Sequence, residues 1–308
     1  MKNNICIGAG LVSLDILLRN NDNRPISYYV GGTCGNVMMI LSYLGWDSYP
    51  IARLDGTKYT ERLLEDIKSN RVKTDFISTN DGSTPVIIQR NIVNKEGTPT
   101  HKFEIKNNNG RFFLNFRSIT KKQADDIISK ISFVPDIFFF DRISPAIIQL
   151  AKYFKTIGSI IYFEPSGKTN EKDFFTCIEI SDIIKFADQR ISQIEFVNNY
   201  NNKLFIQTQG GDGLIYKFKD YDWRKIPSWK NESIIDSSGA GDWTSSIFIN
   251  RIFSNKINSL TDLSLDFIDT SLCEAQKYAS NSCSFEGARG MMSINYQELE
   301  GIINEKYR

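Results

Sequence analysis

Residues 236–242 read Asp-Ser-Ser-Gly-Ala-Gly-Asp, and Trp243 to Phe253 continue with the spacing of an amphipathic helix. Glycines on both sides of Ala240 let successive backbone N–H groups converge where a helix begins. Such a turn binds anions, because unpaired N–H groups and the helix macrodipole both favour negative charge. Asp242 follows at once, so a carboxylate that the helix N-terminus should keep ionised at neutral pH, able to take a hydroxyl proton, stands beside a place suited to a phosphoryl group. Gly239, Ala240, Gly241 and Asp242 are therefore the first candidates for phosphoryl-transfer chemistry. The alternative is an ordinary helix start, with glycine serving a tight turn and Asp242 complementing the dipole.

A second glycine-rich element lies near the other end of the chain: Gly31, Gly32, Thr33, Cys34, Gly35 and Asn36, with Asp15 upstream. Taken with the 236–242 run, its order and separation resemble the PfkB/ribokinase family of carbohydrate kinases over nearly the whole length. The resemblance implies a ribokinase-like three-layer αβα fold, with a mostly parallel central sheet and a small β-sheet lid. It implies a catalytic base at Asp242 and an anion hole at Gly239, Ala240 and Gly241. Sugar hydroxyls would meet Asp15, Gly31, Gly32 and Asn36. Thr208, Gly210 and Gly213 match the element that lines the ATP groove, Gly287 and Ala288 match the terminal Gly-Ala near the nucleotide, and Gln276 falls where some members contact adenine. The implied cofactors are ATP and Mg2+, and many relatives form homodimers through the lid.

The chain departs from the family pattern at named places. Ser237 replaces a threonine, and Trp243-Thr244-Ser245-Ser246 replaces Thr-Phe-x-Gly, which suggests a reshaped substrate pocket. Ala187 and Arg190 stand where the family has the Asn and Glu that help hold the magnesium water network. The metal ligands are accordingly open: Arg190 contacts phosphate or lies on a solvated helix face, or Asp188 or Glu195 replaces the lost carboxylate.

The elements that must position these residues alternate. Apolar, β-rich runs at 5–9, 49–54, 137–140, 160–163, 183–186 and 204–208 are separated by helix-compatible stretches at 33–44, 60–70, 120–132 and 145–156. That rhythm predicts a parallel sheet covered on both faces, with ligands at the carboxyl ends of its strands. Two segments, about 16–30 and 84–106, break the rhythm. Val86 to Val93 and His101 to Ile105 flank a Glu96-Gly97 turn, which predicts a small antiparallel sheet projecting from a single domain spanning 1–308; the family resemblance implies that this sheet is the lid. An unpaired edge on Val86 to Val93 would favour a homodimer.

Several signals point elsewhere and fail. Gly167-Lys168-Thr169 lacks the glycine that a P-loop requires at Tyr162, although Lys168 remains within reach of a phosphate. Gly8-Ala9-Gly10 opens like a dinucleotide fingerprint, but Ser13 holds the third glycine position. His101, the sole histidine, has no metal-site neighbours in the sequence. The 37 basic and 36 acidic residues leave a net charge of +1, with no block of one sign to hold nucleic acid or an anionic membrane. No run is apolar enough to span a membrane, and the five scattered cysteines suit reduced thiols in a cytoplasmic protein. The expected reaction is ATP-dependent phosphorylation of a hydroxyl, chiefly a hydroxymethyl, of a sugar or polyol. The alternatives are a nucleoside or phosphosugar acceptor, for which Arg90, Lys95, Lys102 and Lys106 offer charge, or a non-catalytic sugar or nucleotide sensor.

Overall fold

Strand residues that point alternately to two faces need two separate layers to bury them. A computed structural model describes residues 3–19, 22, 25, 27–93, 99–104, 115–167, 170–192, 194–257 and 259–307. The strands are β1 (Ile5–Ala9), β2 (Ser13–Arg19), β3 (Ser27–Gly31), β4 (Asp47–Arg53), β5 (Ile77–Ser78), β6 (Val86–Val93), β7 (Pro99–Glu104), β8 (Ile137–Phe140), β9 (Ile160–Phe163), β10 (Ile183–Ala187), β11 (Leu204–Thr208), β12 (Leu214–Phe218) and β13 (Arg224–Ile226). The helices are α1 (Thr33–Tyr43), α2 (Lys58–Ser69), α3 (Lys121–Lys130), α4 (Pro145–Thr156), α5 (Glu171–Ile180), α6 (Ala240–Ser254), α7 (Leu265–Ser282) and α8 (Tyr296–Lys306).

Among the described residues the large sheet has nine strands in the order β13-β12-β11-β10-β9-β8-β1-β4-β5. From β11 to β5 neighbours are parallel, and β12 and β13 add an antiparallel edge. Period-two alternation splits the core cleanly. Ile137 and Phe139 of β8 and Ile160 and Tyr162 of β9 pack with residues of α1, α2, α6, α7 and α8. Phe138, Phe140, Ile161 and Phe163 turn to the opposite face and pack with α3, α4 and α5. These layers make the three-layer αβα architecture expected from the sequence.

The small sheet runs β3-β2-β6-β7. It is not purely antiparallel, as expected, because β2 pairs β6 in parallel over Leu14–Arg19 and Val86–Asn91. Between β2 and β6 the chain passes through β3, α1, β4, α2 and β5 and returns in the direction of β2, which only a long crossover permits. Strand β6 lies between β2 and β7, so neither of its edges is open, and the reason for association through that strand falls away. Lys95, the Glu96-Gly97 turn, Lys106 and Lys168 lie outside the described residues, as does the side chain of His101. No helix of the described residues is long and apolar enough to cross a membrane, and the five cysteines are free.

The aromatic ladder beneath the site is the firmest part of the second core. Phe140 and Phe163, both fully buried at the carboxyl ends of β8 and β9, stack with ring centroids 4.5 Å apart. Phe140→Ala is expected to cost about 3–5 kcal/mol of stability in denaturant titration, and Phe140→Leu much less. A loss below about 1 kcal/mol for the alanine variant would show that this end of the sheet is not close-packed.

Candidate active site

Helices α1 and α6 both begin above the carboxyl ends of the sheet, and their starts meet. Gly239 caps α6 with φ of 78°, a left-handed conformation that glycine adopts without strain. A Cβ there would lie 2.4 Å from the Cβ of Ala288, so the turn is also packed too tightly for any side chain. The first turn of α6 carries Asp242, 8% exposed, whose Oδ2 accepts a hydrogen bond of 2.7 Å from Nδ2 of Asn36 in α1. One bond thus joins two glycine-rich elements 206 residues apart.

Two cavities converge on this point. One, of about 580 Å3, is bordered by Asp15, Gly32, Asn36, Gln89, Phe103 and Asp242 among others. The other, of about 670 Å3, is bordered by Thr208, Gly210, Gly213, Trp229, Gln276 and Cys283 among others. Ala187, Gln189, Thr208, Ser237 and Gly241 line both. The first cavity is rich in hydrogen-bonding groups, and the Oδ1 of Asn36 and the Oγ of Ser238 are buried there without a protein partner. Buried polar atoms left open in this way favour a hydroxylated ligand.

Most sequence candidates come together here. Asp15 lies in β2, accepting from Ser13 Oγ at 2.8 Å, and Gly31 makes room for it, since a Cβ would fall 1.9 Å from its Oδ2. Gly31 therefore acts through space rather than on a cavity wall. Gly210 and Gly213 lie in the β11–β12 hairpin turn, where the N–H of Gln209 donates to the carbonyl of Gly213 at 2.8 Å. Turn and cavity wall are the same residues. Gly287 and Ala288 do not border the 670 Å3 cavity; Ala288 braces Gly239 and lines the Asp15 side, and the N–H of Gly287 donates to Asp236 Oδ2 at 2.9 Å. Trp243 is fully buried, turns away from both cavities and donates to the carbonyl of Ala288 at 3.0 Å, so it braces the turn instead of reshaping the pocket. Arg190 borders the Asp15 cavity and Asp188 the Thr208 cavity, whereas Glu195 is exposed and borders neither. Gln276 is buried, with Nε2 donating to Thr244 Oγ1 at 3.4 Å. Arg90 is engaged by Glu104 at 2.7 Å.

Other residues were not singled out from the sequence. Gln89 of β6 donates to the carboxylate of Asp236, which also accepts from the N–H of Ser238 at 2.9 Å, tying the small sheet to the glycine turn. Asp141 Oδ1 accepts from the N–H of Leu11 at 2.8 Å, and Arg142 pairs its other oxygen at 2.6 Å. Glu164 and Lys185 form a buried pair at 2.5 Å. A lysine inside the apolar run Ile183-Ile184-Lys185-Phe186 was the available signal, since charged groups are rarely buried without purpose.

Burial makes these carboxyls weak acids. Burial, with Glu164 close by, raises Asp242 to about 8, against the lowering effect of Asn36 and Lys185. This corrects the expectation of a base ionised at neutral pH: loss of hydration outweighs the helix dipole. Burial likewise raises Asp15 to about 6, opposed by Ser13 and Arg289, and Asp141 to about 6, opposed chiefly by Arg142. Each group holds its proton more tightly folded than unfolded, so stability falls as pH rises from the ordinary value of 3.8 to the folded one. Above pH 6 Asp242 is the one of the three still losing stability. Urea midpoints of the ligand-free protein are therefore expected to fall between about pH 6 and pH 8, and Asp242→Asn to flatten that slope. Parallel slopes would remove Asp242 as their source.

The same fold occurs in solved kinases. Ribokinase from Giardia lamblia superposes with a TM-score of 0.73 at 16% identity, covering 98% of this chain and 100% of that one. Fructokinase from Vibrio cholerae O395, solved with fructose, ADP and calcium, gives 0.70 at 13% identity over 97% and 98%. A nucleoside kinase from Burkholderia thailandensis, solved with inosine, gives 0.69 at 13% identity over 98% of each chain. No curated protein matches the sequence. The family model described as pfkB family carbohydrate kinase matches residues 1–282. With both glycine elements and Asp242 inside that match, the chain belongs to the pfkB family of carbohydrate kinases.

Proposed function

We propose that this protein transfers the γ-phosphoryl group of ATP to a hydroxyl, chiefly a hydroxymethyl, of a monosaccharide or related polyol. The observation that carries the reading is Asp242: a carboxyl directly after a glycine turn, held by Asn36, where two cavities share a wall. The acceptor lies in the cavity of Asp15, Gly32 and Asn36, and the nucleotide in that of Thr208, Gly210 and Gly213. Asp242 accepts the hydroxyl proton while the N–H groups at Gly239, Ala240 and Gly241, with the dipole of α6, stabilise charge on the transferring group. Closure of the β3-β2-β6-β7 sheet over the acceptor would exclude water. Among the described residues no three His, Cys, Asp or Glu side chains converge as a metal cluster. That fits Mg2+ carried mainly by ATP phosphates and water, with Asp188 the carboxylate on the nucleotide side. The bound ion would screen phosphate charge.

The reading is tested by ADP release from purified protein across hexoses, pentoses, sugar acids, phosphosugars and nucleosides. Turnover is expected with a sugar or polyol. Preference for a nucleoside or phosphosugar would reassign the acceptor, and binding without ADP release would mark a sensor. Asp242→Asn is expected to lower kcat at least about a hundredfold with nucleotide affinity little changed. Near-normal turnover would remove Asp242 as the base.

The pH profile supplies a separate check. A base must be deprotonated to act, and Asp242 sits at about 8, so kcat/KM should rise with pH through that value and then level off. Glu164 raises Asp242, so Glu164→Gln should move the rising limb to lower pH. A profile already flat at pH 6 would contradict the assignment.

A further inference from the structure

One buried cation borders the Asp15 cavity close to the glycine turn. Lys185, the third residue of β10, is 2% exposed and flanked by buried Ile184 and Phe186. Its Nζ donates to Glu164 Oε1 at 2.5 Å, and Glu164 Oε2 accepts from Ser245 Oγ at 2.6 Å. The hydroxyl of Tyr162 lies 3.2 Å from Ser245 Oγ. A carboxylate fastened on both oxygens is a fixed seat for the ammonium, and burying either charge alone would be costly.

The direction of that ammonium is informative. Lys185, Glu164, Gly241 and Asp242 border the same cavity. A Cβ placed on Gly241 would meet only one group within 4 Å, the Nζ of Lys185 at 3.5 Å. Gly241 thus opens a gap between the anion-binding turn and a buried positive charge. An ammonium has three donors, and among the described residues Glu164 is the one hydrogen-bond partner of Lys185.

We propose that Lys185 is a catalytic residue of phosphoryl transfer, its ammonium donating to a non-bridging oxygen of the γ-phosphoryl group in the gap at Gly241. This rests on the kinase reading above. As the acceptor oxygen bonds to the γ-phosphorus, the bond from that phosphorus to the β–γ bridging oxygen breaks, the acceptor proton passes to Asp242, and ADP leaves. Lys185 transfers no proton. It adds a full charge to the partial charges of the backbone N–H groups, at a place where water is excluded and such attraction is strong. Glu164 serves as its positioning residue.

The competing role is an ion pair that only holds β10 against α6. The two are separable, because a purely structural buried pair is replaceable by neutral groups of similar size. Lys185→Met alone strands the Glu164 charge, so the deciding protein is Lys185→Met with Glu164→Gln. It is expected to fold, and to lose about a hundredfold in kcat with acceptor KM little changed. Recovery of wild-type kcat in the double variant, against a wild type that turns over, would overturn the proposal and leave the kinase reading intact. Calorimetry needs no turnover. The double variant should bind ATP at least about tenfold more weakly while ADP affinity stays the same, because only ATP carries the γ-phosphate. If the wild type consumes no ATP with any acceptor, the kinase reading fails, and equal losses for ATP and ADP would then dismiss Lys185 as a γ-phosphate contact.

Discussion

A carboxyl removed from water at the start of a helix survives only if something donates to it, and here that donor comes from another helix start. The bond from Asn36 to Asp242 fixes α1 against α6, so the two glycine-rich elements cannot shift independently. The rest of the architecture serves that contact. Parallel strands bring both helix starts to one edge of the sheet, and two cores, one on each face, hold the strands in register. Gly239 and Ala288 then set the depth of the turn by direct contact.

The glycine turn is also tied to the small sheet. Asp236 accepts from Gln89 in β6 and from the N–H groups of Ser238 and Gly287, so one carboxylate organises a small-sheet strand, the turn and the 287–289 segment together. Arg289 extends the connection, donating to the carbonyl of Val30 at 3.0 Å and pairing with Asp66 of α2. Arg19 at the end of β2 pairs with Glu286. Surface pairs such as the last contribute little alone. The Gln89 contact is the stronger link, because it is buried and its acceptor is a carboxylate. The small sheet and the glycine turn are thereby joined through one carboxylate.

What was legible in the sequence was what periodicity and glycine chemistry encode. Apolar runs such as Ile137–Phe140 and Ile160–Phe163 announce strands because both faces are buried, and Asp-x-x-Gly-Ala-Gly-Asp announces a helix start with convergent N–H groups. Pairing between distant strands is not local information. The parallel match of β2 with β6 depends on a crossover through five other elements, and nothing within Ser13–Arg19 specifies it. Gly8 and Gly10 look like a nucleotide fingerprint but serve packing, making space for Met38 and for the carboxylate of Asp141. The ionisation of Asp242 was misjudged for a related reason: the dipole is visible in the sequence, whereas burial and the approach of Glu164 are tertiary. Gln89, Glu164 and Lys185 act through contacts with partners 147, 81 and 21 residues away, which no spacing rule reports.

The substitutions Ala187 and Arg190 gain meaning from the charges around them. Arg142, Lys185 and Arg190 border one cavity together with Asp15, Glu164 and Asp242, three cations against three carboxyls. In such a confined space each charge alters the proton affinity of the others. In the proposed reaction a polyanionic triphosphate enters next door, and its charge alone would make Asp242 harder to ionise when it must accept a proton. In that reaction the cations bordering this cavity would have two effects that cannot be separated: they attract the phosphate, and they offset its influence on the base. Arg190, exposed at the rim of this cavity, adds to the protein's own positive charge there. Phosphate binding and the activation of Asp242 are then governed by one electrostatic balance.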